Sequence, residues 1–507
     1  MKSRTLILTA ALTAIAVGGG VTAWRAAGPH GASALRGAAA ATEAKAAEAP
    51  KPAVRTVPMD AAHARGPLQA QAEAIVGPNA REWTLMAWSV DRQETLFAIN
   101  ADSARIPASN NKVFSSIWAL AELGADYRFP TDLLVHGPVQ NGVLRGNLVI
   151  RGSGDPAFGY PAYDQDPLNS LRGMVQALKA RGVRVVEGGI IGDESINAEA
   201  NYGPDWPRDT GNGVSNYAPT VSGLPFQRNM LQVSFAPGGA GVVTMPEAPE
   251  IPVTRRPGGR ASATRHPDGD TVIVRGSDAR KGSRYMVGVK EAALLAPAAL
   301  RQALREAGIE VRGRVATGET PQGAELVHRH YSIPLGDMIP QLNQNSDNFF
   351  AEHVWAAAVA KATGRGTFKG GGQAAATFFH DNAGVDWGQI WQADGSGLSS
   401  QNRTSAHALV SALYYAHQQP WSDLFHRSMA VAADRNGTMA RMFVGTPAAG
   451  NLHAKTGYIN GVRSLSGYVR TAGGELVVFS MIYNGRGTSG SRGVQQNLGN
   501  LLATYTR

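Results

Sequence analysis

The chain has 507 residues, enough for two or three domains, and 43% of them are hydrophobic, so a sizeable core is available. It contains no cysteine, which excludes thiol nucleophiles, disulfides and thiolate metal sites. The formal net charge of +9 suits an anionic partner. No Lys/Arg-rich run or nucleic-acid motif accompanies that charge, so anionic envelope material fits better than nucleic acid, and plain solubility accounts for it equally well.

Lys2 and Arg4 precede an uncharged run over 5–24 rich in Leu, Ile, Ala and Val, the pattern of a secretory signal. Small residues such as Ala26, Ala27 and Ala32 offer cleavage points after it. The same run is long enough to cross a bilayer uncleaved. Residues 1–25 therefore read as a signal peptide or N-terminal anchor of an exported protein, periplasmic or otherwise associated with the cell envelope, with peripheral membrane association as a further expectation. Residues 26–60, mostly Ala, Pro, Lys and Glu, read as a linker.

A short helix is expected over 69–76. Apolar runs over 83–90 and 94–99 bracket Asp91, Arg92 and Gln93 and predict a hairpin. Next comes a helix carrying Val113, Ile117, Leu120 and Leu123 at helical spacing, entered from Pro107 and ending near Gly124. From 127 to about 323 the texture is β-rich. Short runs at 133–136, 143–151, 183–191, 231–235, 242–244, 271–274 and 285–289 are broken by Gly, Pro and Asn, with helices over 170–181 and 291–307. Helices return over 333–342, 348–361 and 404–417. The chain closes with strands over 451–456, 462–470 and 475–483 and a last helix over 492–505.

Three short stretches carry chemistry. Ser109 and Lys112 are one helical turn apart, so hydroxyl and amine can meet over the helix N-terminus. A serine hydroxyl needs a base to become a nucleophile, and a lysine serves as one when burial lowers its pKa. This pair is the only Ser-x-x-Lys in the chain. Ser346, Asp347 and Asn348 lie between two predicted helices, where a hydroxyl can pass a proton and an amide can both donate and accept. Lys455, Thr456 and Gly457 end a predicted strand. Gly457 leaves room for a peptide along the strand edge, and Lys455 and Thr456 can hold a carboxylate. Each stretch alone has an ordinary structural explanation, as a helix cap, an inter-helix loop and a turn. Together, and in this order, they match the set described for penicillin-binding proteins and serine β-lactamases.

On these motifs the chain resembles D-alanyl-D-alanine carboxypeptidase/endopeptidases of the S13 peptidase type, the low-molecular-mass class C penicillin-binding proteins. The resemblance extends from about residue 66 to the C-terminus and includes the stretches at 152–156, 192–195, 218–224 and 394–399. It implies an α+β fold: a penicillin-binding/serine β-lactamase-like domain, an antiparallel sheet flanked by helices, with a large β-rich insertion forming two additional domains. The expected division is 61–130 plus 325–507 for the acyl-transfer domain, 131–156 plus 224–324 for the inserted domain, and 157–223 for a nested one. The resemblance implies Ser109 as acylated nucleophile, Lys112 as its base, Ser346 as proton shuttle, Asn348 as amide holder and Lys455 as positive charge. It implies Thr456 as carboxylate ligand beside Gly457, and an oxyanion hole from the amides of Ser109 and Tyr458. Tyr458 departs from the small residue usual there and leaves the carboxypeptidase-to-endopeptidase balance open. The implied substrates are peptidoglycan stem peptides ending in D-Ala-D-Ala and cross-linked peptides, with β-lactam antibiotics as covalent inhibitors. No metal or other cofactor is implied, and His328 and His330 read as a strand rather than a ligand pair.

Two rival readings stand beside this one. A serine β-lactamase needs a group that speeds deacylation, and Glu352, in the helix after Asn348, is the only Glu between Asn348 and Lys455. A non-catalytic wall-binding protein would tolerate loss of the motif residues, and all six are present.

Overall fold

The computed structural model describes residues 55–197, 202–207, 217–218, 220–235, 241–256, 258–266, 269–276 and 284–507. The expected signal or anchor and the linker up to residue 54 lie outside the described residues. The end of the expected linker is not a tether. Val57 is buried, Met59–Ala62 forms a helical turn, and Ala61 and Ala62 join the core, because these apolar side chains find a groove against the domain.

Strands buried on both faces build the sheet that carries the site. Trp83–Ser89 and Glu94–Ile99 pair antiparallel, as the hairpin signal predicts. The strands Leu476–Asn484, Val462–Arg470, His453–Ile459 and Ala430–Val431 add to the Trp83–Ser89 side, giving six antiparallel strands. Trp83, Leu85, Ala87, Val477, Phe479 and Met481 face one side and pack with helices Gln69–Val76 and Ser491–Thr504. Met86, Trp88, Val478 and Ile482 face the other. Both faces are covered, which explains why these strands read as continuous apolar runs.

The second face holds helix Asn111–Leu123, which is buried along nearly all of its length. Its polar residues Asn111, Lys112, Ser115 and Ser116 are buried with the apolar ones, so each must find hydrogen-bond partners inside the fold. Around it pack helices Leu335–Asn343, Asn348–Thr363, Phe368–Ala383 and Ala406–His417. Helix Phe368–Ala383 has no clear sequence signal, because Gly370, Gly371 and Gly372 interrupt its pattern and each glycine costs about 1 kcal/mol of helix propensity. Close packing requires two of them: a Cβ on Gly371 would fall 2.2 Å from Trp355 Cζ2 of the neighbouring helix, and one on Gly372 would fall 2.9 Å from the Trp391 ring.

Residues 130–331 build a separate core. A five-stranded sheet runs Val315–Thr317, Ile190–Asp193, Asn147–Arg151, Pro130–His136, Glu325–Tyr331, and His328 and His330 lie in its last strand. The apolar runs at 143–151 and 183–191 each split in two where Gly146 and Gly188 meet. The Gly188 amide donates to the Gly146 carbonyl at 2.9 Å, and the Gly313 amide to the Gly188 carbonyl at 2.9 Å. Any side chain would break this stack. The expected split between an inserted domain and a nested domain at 157–223 does not follow the packing. Val185–Val186 and Ile190–Asp193 pair with Val143–Leu144 and Asn147–Arg151, and Leu171, Met174 and Leu178 share one core with Leu148, Leu231 and Leu300. The later part of that segment turns away: Trp206, Ala218 and Val221 pack on Leu398.

Candidate active site

Ser109 lies in a helical turn, Ala108–Asn110, that leads into helix Asn111–Leu123. One turn on, Lys112 is fully buried. Lys112 Nζ is 3.0 Å from Ser109 Oγ and donates to Asn348 Oδ1 at 2.6 Å and to the Ser396 carbonyl at 2.7 Å. A neutral amine has two N–H donors and one lone pair. With both donors spent on Asn348 and Ser396, the lone pair faces the Ser109 hydroxyl.

Asp347 caps helix Asn348–Thr363 by accepting from the Phe350 amide, which fixes where Ser346 and Asn348 project. Ser346 itself has φ 59°, a left-handed conformation that a residue with a side chain adopts only under constraint. Its hydroxyl accepts from Lys455 Nζ at 2.9 Å. Lys455 also donates to the Thr456 carbonyl at 2.8 Å. Strand His453–Ile459 passes so close to the Ser109 turn that a Cβ on Gly457 would fall 2.2 Å from Ser464 Oγ and 3.0 Å from the Ser109 nitrogen. The sequence-predicted set thus converges on one cleft of about 430 Å³ lined by Ser109, Ser346, Asn348, Thr456, Gly457 and Tyr458. Lys112 and Lys455 lie buried behind its wall.

Burial lowers Lys112 to about 8, against the pull of Glu352, Asp394 and Asp347 in the other direction. Burial, aided by the like charge of Lys112, holds Lys455 well below the ordinary lysine range. Lys112 is therefore poised to accept and return a proton near neutrality.

Glu352 is fully buried, and burial with Asp394 nearby raises it to about 8. Its two oxygens accept the amides of Gly395 at 2.9 Å and Ser396 at 2.7 Å, so it fastens the loop whose Ser396 carbonyl grips Lys112. Fully buried and absent from the cleft lining, Glu352 does not face a water there. This is the opposite of what a β-lactamase base requires. Asp394 folds the same loop by accepting from Gly397 and Ser399 amides and from Trp206 Nε1 at 2.8 Å.

Several cleft residues escape motif reading. Tyr217 lines the mouth, and its carbonyl accepts from Asn348 Nδ2 at 2.6 Å. Arg228 reaches across from the inserted region to Asp347, with 2.7 and 3.2 Å contacts. Thr438 Oγ1 accepts from Thr456 Oγ1 at 2.8 Å, and Arg463 and Arg492 line the same cleft. None of these has a short-range pattern; the inserted segment brings in Tyr217 and Arg228, the loop before His453–Ile459 brings Thr438, and strand Val462–Arg470 and helix Ser491–Thr504 bring Arg463 and Arg492.

A helix-sandwiched antiparallel sheet with a serine and a buried lysine at the foot of its central helix defines a serine acyl-transfer enzyme of the penicillin-binding and β-lactamase class. The chain belongs to the D-Ala-D-Ala carboxypeptidase 3 (S13) family, whose model matches residues 68–505. It is a serine-type D-Ala-D-Ala carboxypeptidase, a hydrolase of the peptidoglycan-acting group. A D-alanyl-D-alanine carboxypeptidase of Actinomadura sp. (strain R39) is 32% identical over 438 residues, covering 81% of this chain and 79% of its own length. The D-alanyl-D-alanine carboxypeptidase DacB of Haemophilus influenzae is 26% identical over 426 residues, covering 81% and 87%. The crystal structure of penicillin binding protein 4 (dacB) from Haemophilus influenzae has the same fold, with TM-score 0.70 at 24% identity over 86% of this chain and 99% of that one.

Proposed function

We propose that this carboxypeptidase works through an acyl-enzyme on Ser109. The observation that carries the reading is the Lys112 amine, 3.0 Å from Ser109 Oγ with its other contacts taken by Asn348 and Ser396. Ser109 Oγ attacks the carbonyl carbon of the penultimate residue, and its proton passes to Lys112 Nζ. The C–N bond then breaks, with a proton relayed through Ser346 to the leaving amine while Lys455 stabilises the charge. Asn348 holds the substrate amide, Thr456 the terminal carboxylate, and the amides of Ser109 and Tyr458 the oxyanion. Water then attacks the ester and gives its proton to Lys112, which passes it to Ser109 Oγ as the C–O bond breaks and the product acid leaves. Residues 61–130 with 325–507 are the acyl-transfer unit in this reading.

The substrates are peptidoglycan stem peptides ending in D-Ala-D-Ala and cross-linked peptides, the latter making the protein a D,D-endopeptidase as well. β-Lactams acylate Ser109 and stay, because Glu352 is fully buried outside the cleft lining and holds a loop by its backbone amides. Such substrates lie outside the cytoplasm, in keeping with an exported, envelope-associated protein. Among the described residues no helix is long and apolar enough to cross a membrane.

Intact mass after incubation with benzylpenicillin tests the reading. One lasting adduct on the wild type and none on Ser109→Ala is the expected result. Loss of the drug without an adduct would favour a β-lactamase, and an adduct retained on Ser109→Ala would overturn the assignment of Ser109.

A further inference from the structure

Among the described residues Trp387 and Trp391 are the only exposed tryptophans, at 56% and 43%. An indole left in water forgoes the burial of a large apolar surface, and neighbouring exposures of this kind mark a contact surface. Both rings are held in place. Trp387 occupies a turn closed by the Gln389 amide on the Asp386 carbonyl at 3.1 Å, with Gly388 at φ 87° as the turn requires. One face of the Trp387 ring is covered by His380, with ring centres 4.3 Å apart and planes 32° from parallel. His380 is itself fixed, donating from Nδ1 to the Val385 carbonyl at 3.0 Å. The other face of Trp387 is open to solvent. Trp391 sits against Gly372, where a Cβ would fall 2.9 Å from its ring. Gly372 and His380 both belong to helix Phe368–Ala383, about 12 Å apart along its axis.

The helix surface between the two indoles is polar without a carboxylate, lysine or arginine. Gln373, Thr377 and His380 follow one another at i, i+4 and i+7 and so share a face. Gln373 and Thr377 are exposed, and Gln373 Nε2 donates to Thr377 Oγ1 at 3.4 Å. An amide and a hydroxyl flanked by indoles match a chain of neutral sugar rings. The C–H faces of such rings lie on indoles, and their hydroxyl and acetamido groups pair with amides and hydroxyls. The surface is also joined to the cleft. Strand Ile390–Trp391 runs into the loop whose Ser396 carbonyl holds Lys112. From Trp391 to Ser396 the chain spans at most about 17 Å, and an extended stem peptide of about five residues spans the same.

We propose that Trp387 and Trp391, with Gln373 and Thr377 between them, bind the N-acetylated amino-sugar strand of peptidoglycan outside the cleft while its stem peptide reaches Ser109. This rests on the peptidoglycan reading above. The platform makes the enzyme prefer peptides still attached to glycan over free peptides of the same sequence.

The first probe is chitohexaose, a peptide-free chain of N-acetylated amino sugars, titrated into the full chain by calorimetry. Saturable binding is expected, weakened about tenfold by Trp387→Ala and by Trp391→Ala, with Trp387→Phe retaining part of it. The second measurement is turnover in the double variant Trp387→Ala/Trp391→Ala. Its kcat/KM on glycan-linked stem peptides is expected to fall about tenfold, mostly through KM, while a free N-acylated D-Ala-D-Ala peptide stays within about twofold of wild type. The free-peptide rate and the benzylpenicillin adduct of each variant exclude a folding defect. No chitohexaose binding by the wild type, or equal losses on the two substrates, would overturn the platform. So would a double variant that keeps chitohexaose binding but no longer self-associates in sedimentation velocity, since the indoles would then cover a second copy of the chain. The underlying reading fails separately: no benzylpenicillin adduct on the wild type would sink it, whatever the indoles bind.

Discussion

A lysine acts as a base only where its ammonium form is disfavoured, and Lys112 meets that condition by burial, which lowers it to about 8. The free amine grows as pH rises through that value, so the rate of Ser109 acylation is expected to rise with it. Glu352 is raised into the same range, so the acid limb of the profile belongs to the pair. Glu352→Gln removes the carboxylate that raises Lys112, so the limb should move to lower pH. The substitution also turns an NH₂ group toward the amides of Gly395 and Ser396, so the plateau should fall, by about tenfold. Stopped-flow acylation across pH checks both effects; a plateau loss with an unmoved limb would leave Glu352 a purely structural part. The meeting of Ser109 and Lys112 was legible because one helical turn joins them. Glu352 was legible only as a residue type, since its contacts are with amides more than forty positions away in sequence.

At the scale of elements, the site depends on how closely strand His453–Ile459 approaches the Ser109 turn. Gly457→Ala would put a methyl group 2.2 Å from Ser464 Oγ and 2.9 Å from the Pro107 carbonyl. The strand must shift outward, carrying Lys455 and Thr456 with it. A displacement of about 1 Å in a catalytic constellation costs roughly a hundredfold in rate, whereas overpacking costs about 1–3 kcal/mol of stability. The expected outcome is a folded protein with a modestly lower Tm and acylation slower by about two orders of magnitude. Calorimetry beside acylation kinetics separates the two, and a rate unchanged within twofold would refute the tight-approach argument. Strands and helices with clean periodicity were readable from the residues, as in 462–470 and 69–76. Helix Phe368–Ala383 was not, because Gly371 and Gly372 answer to Trp355 and Trp391 on other elements rather than to helix propensity.

At the scale of the whole molecule, the inserted region is wired into the acyl-transfer unit. Arg228 binds Asp347 through two nitrogens and lies about 5 Å from the ring centres of Tyr160 and Phe349. Asp347 in turn caps the helix that aims Asn348. Arg228→Met keeps the apolar contacts and leaves Asp347 without its partner. Both side chains keep slight exposure, so the expected loss is about 1–3 kcal/mol, less than for a fully buried pair. Denaturant unfolding measures that loss. Slower acylation in the same variant is expected because Ser346 and Asn348 flank Asp347; full activity together with full stability would show the bridge to be incidental.

The sequence by itself determined the chemistry available to this protein. A Ser-x-x-Lys pair in one helical turn, a Ser-Asp-Asn loop between helices and a Lys-Thr-Gly at a strand end are local patterns, and local patterns are set by neighbouring residues. Tertiary structure alone decided what those groups could do. It brought Lys112 to Asn348 across 236 positions and Lys455 to Ser346 across 109, and it buried both lysines. Burial is what lowers their pKa values, and burial is a property of every element packed around a residue. For the same reason Tyr217, Arg228, Arg463 and Arg492 entered the site without a motif: they are brought there by packing between distant segments, which no short window of sequence contains.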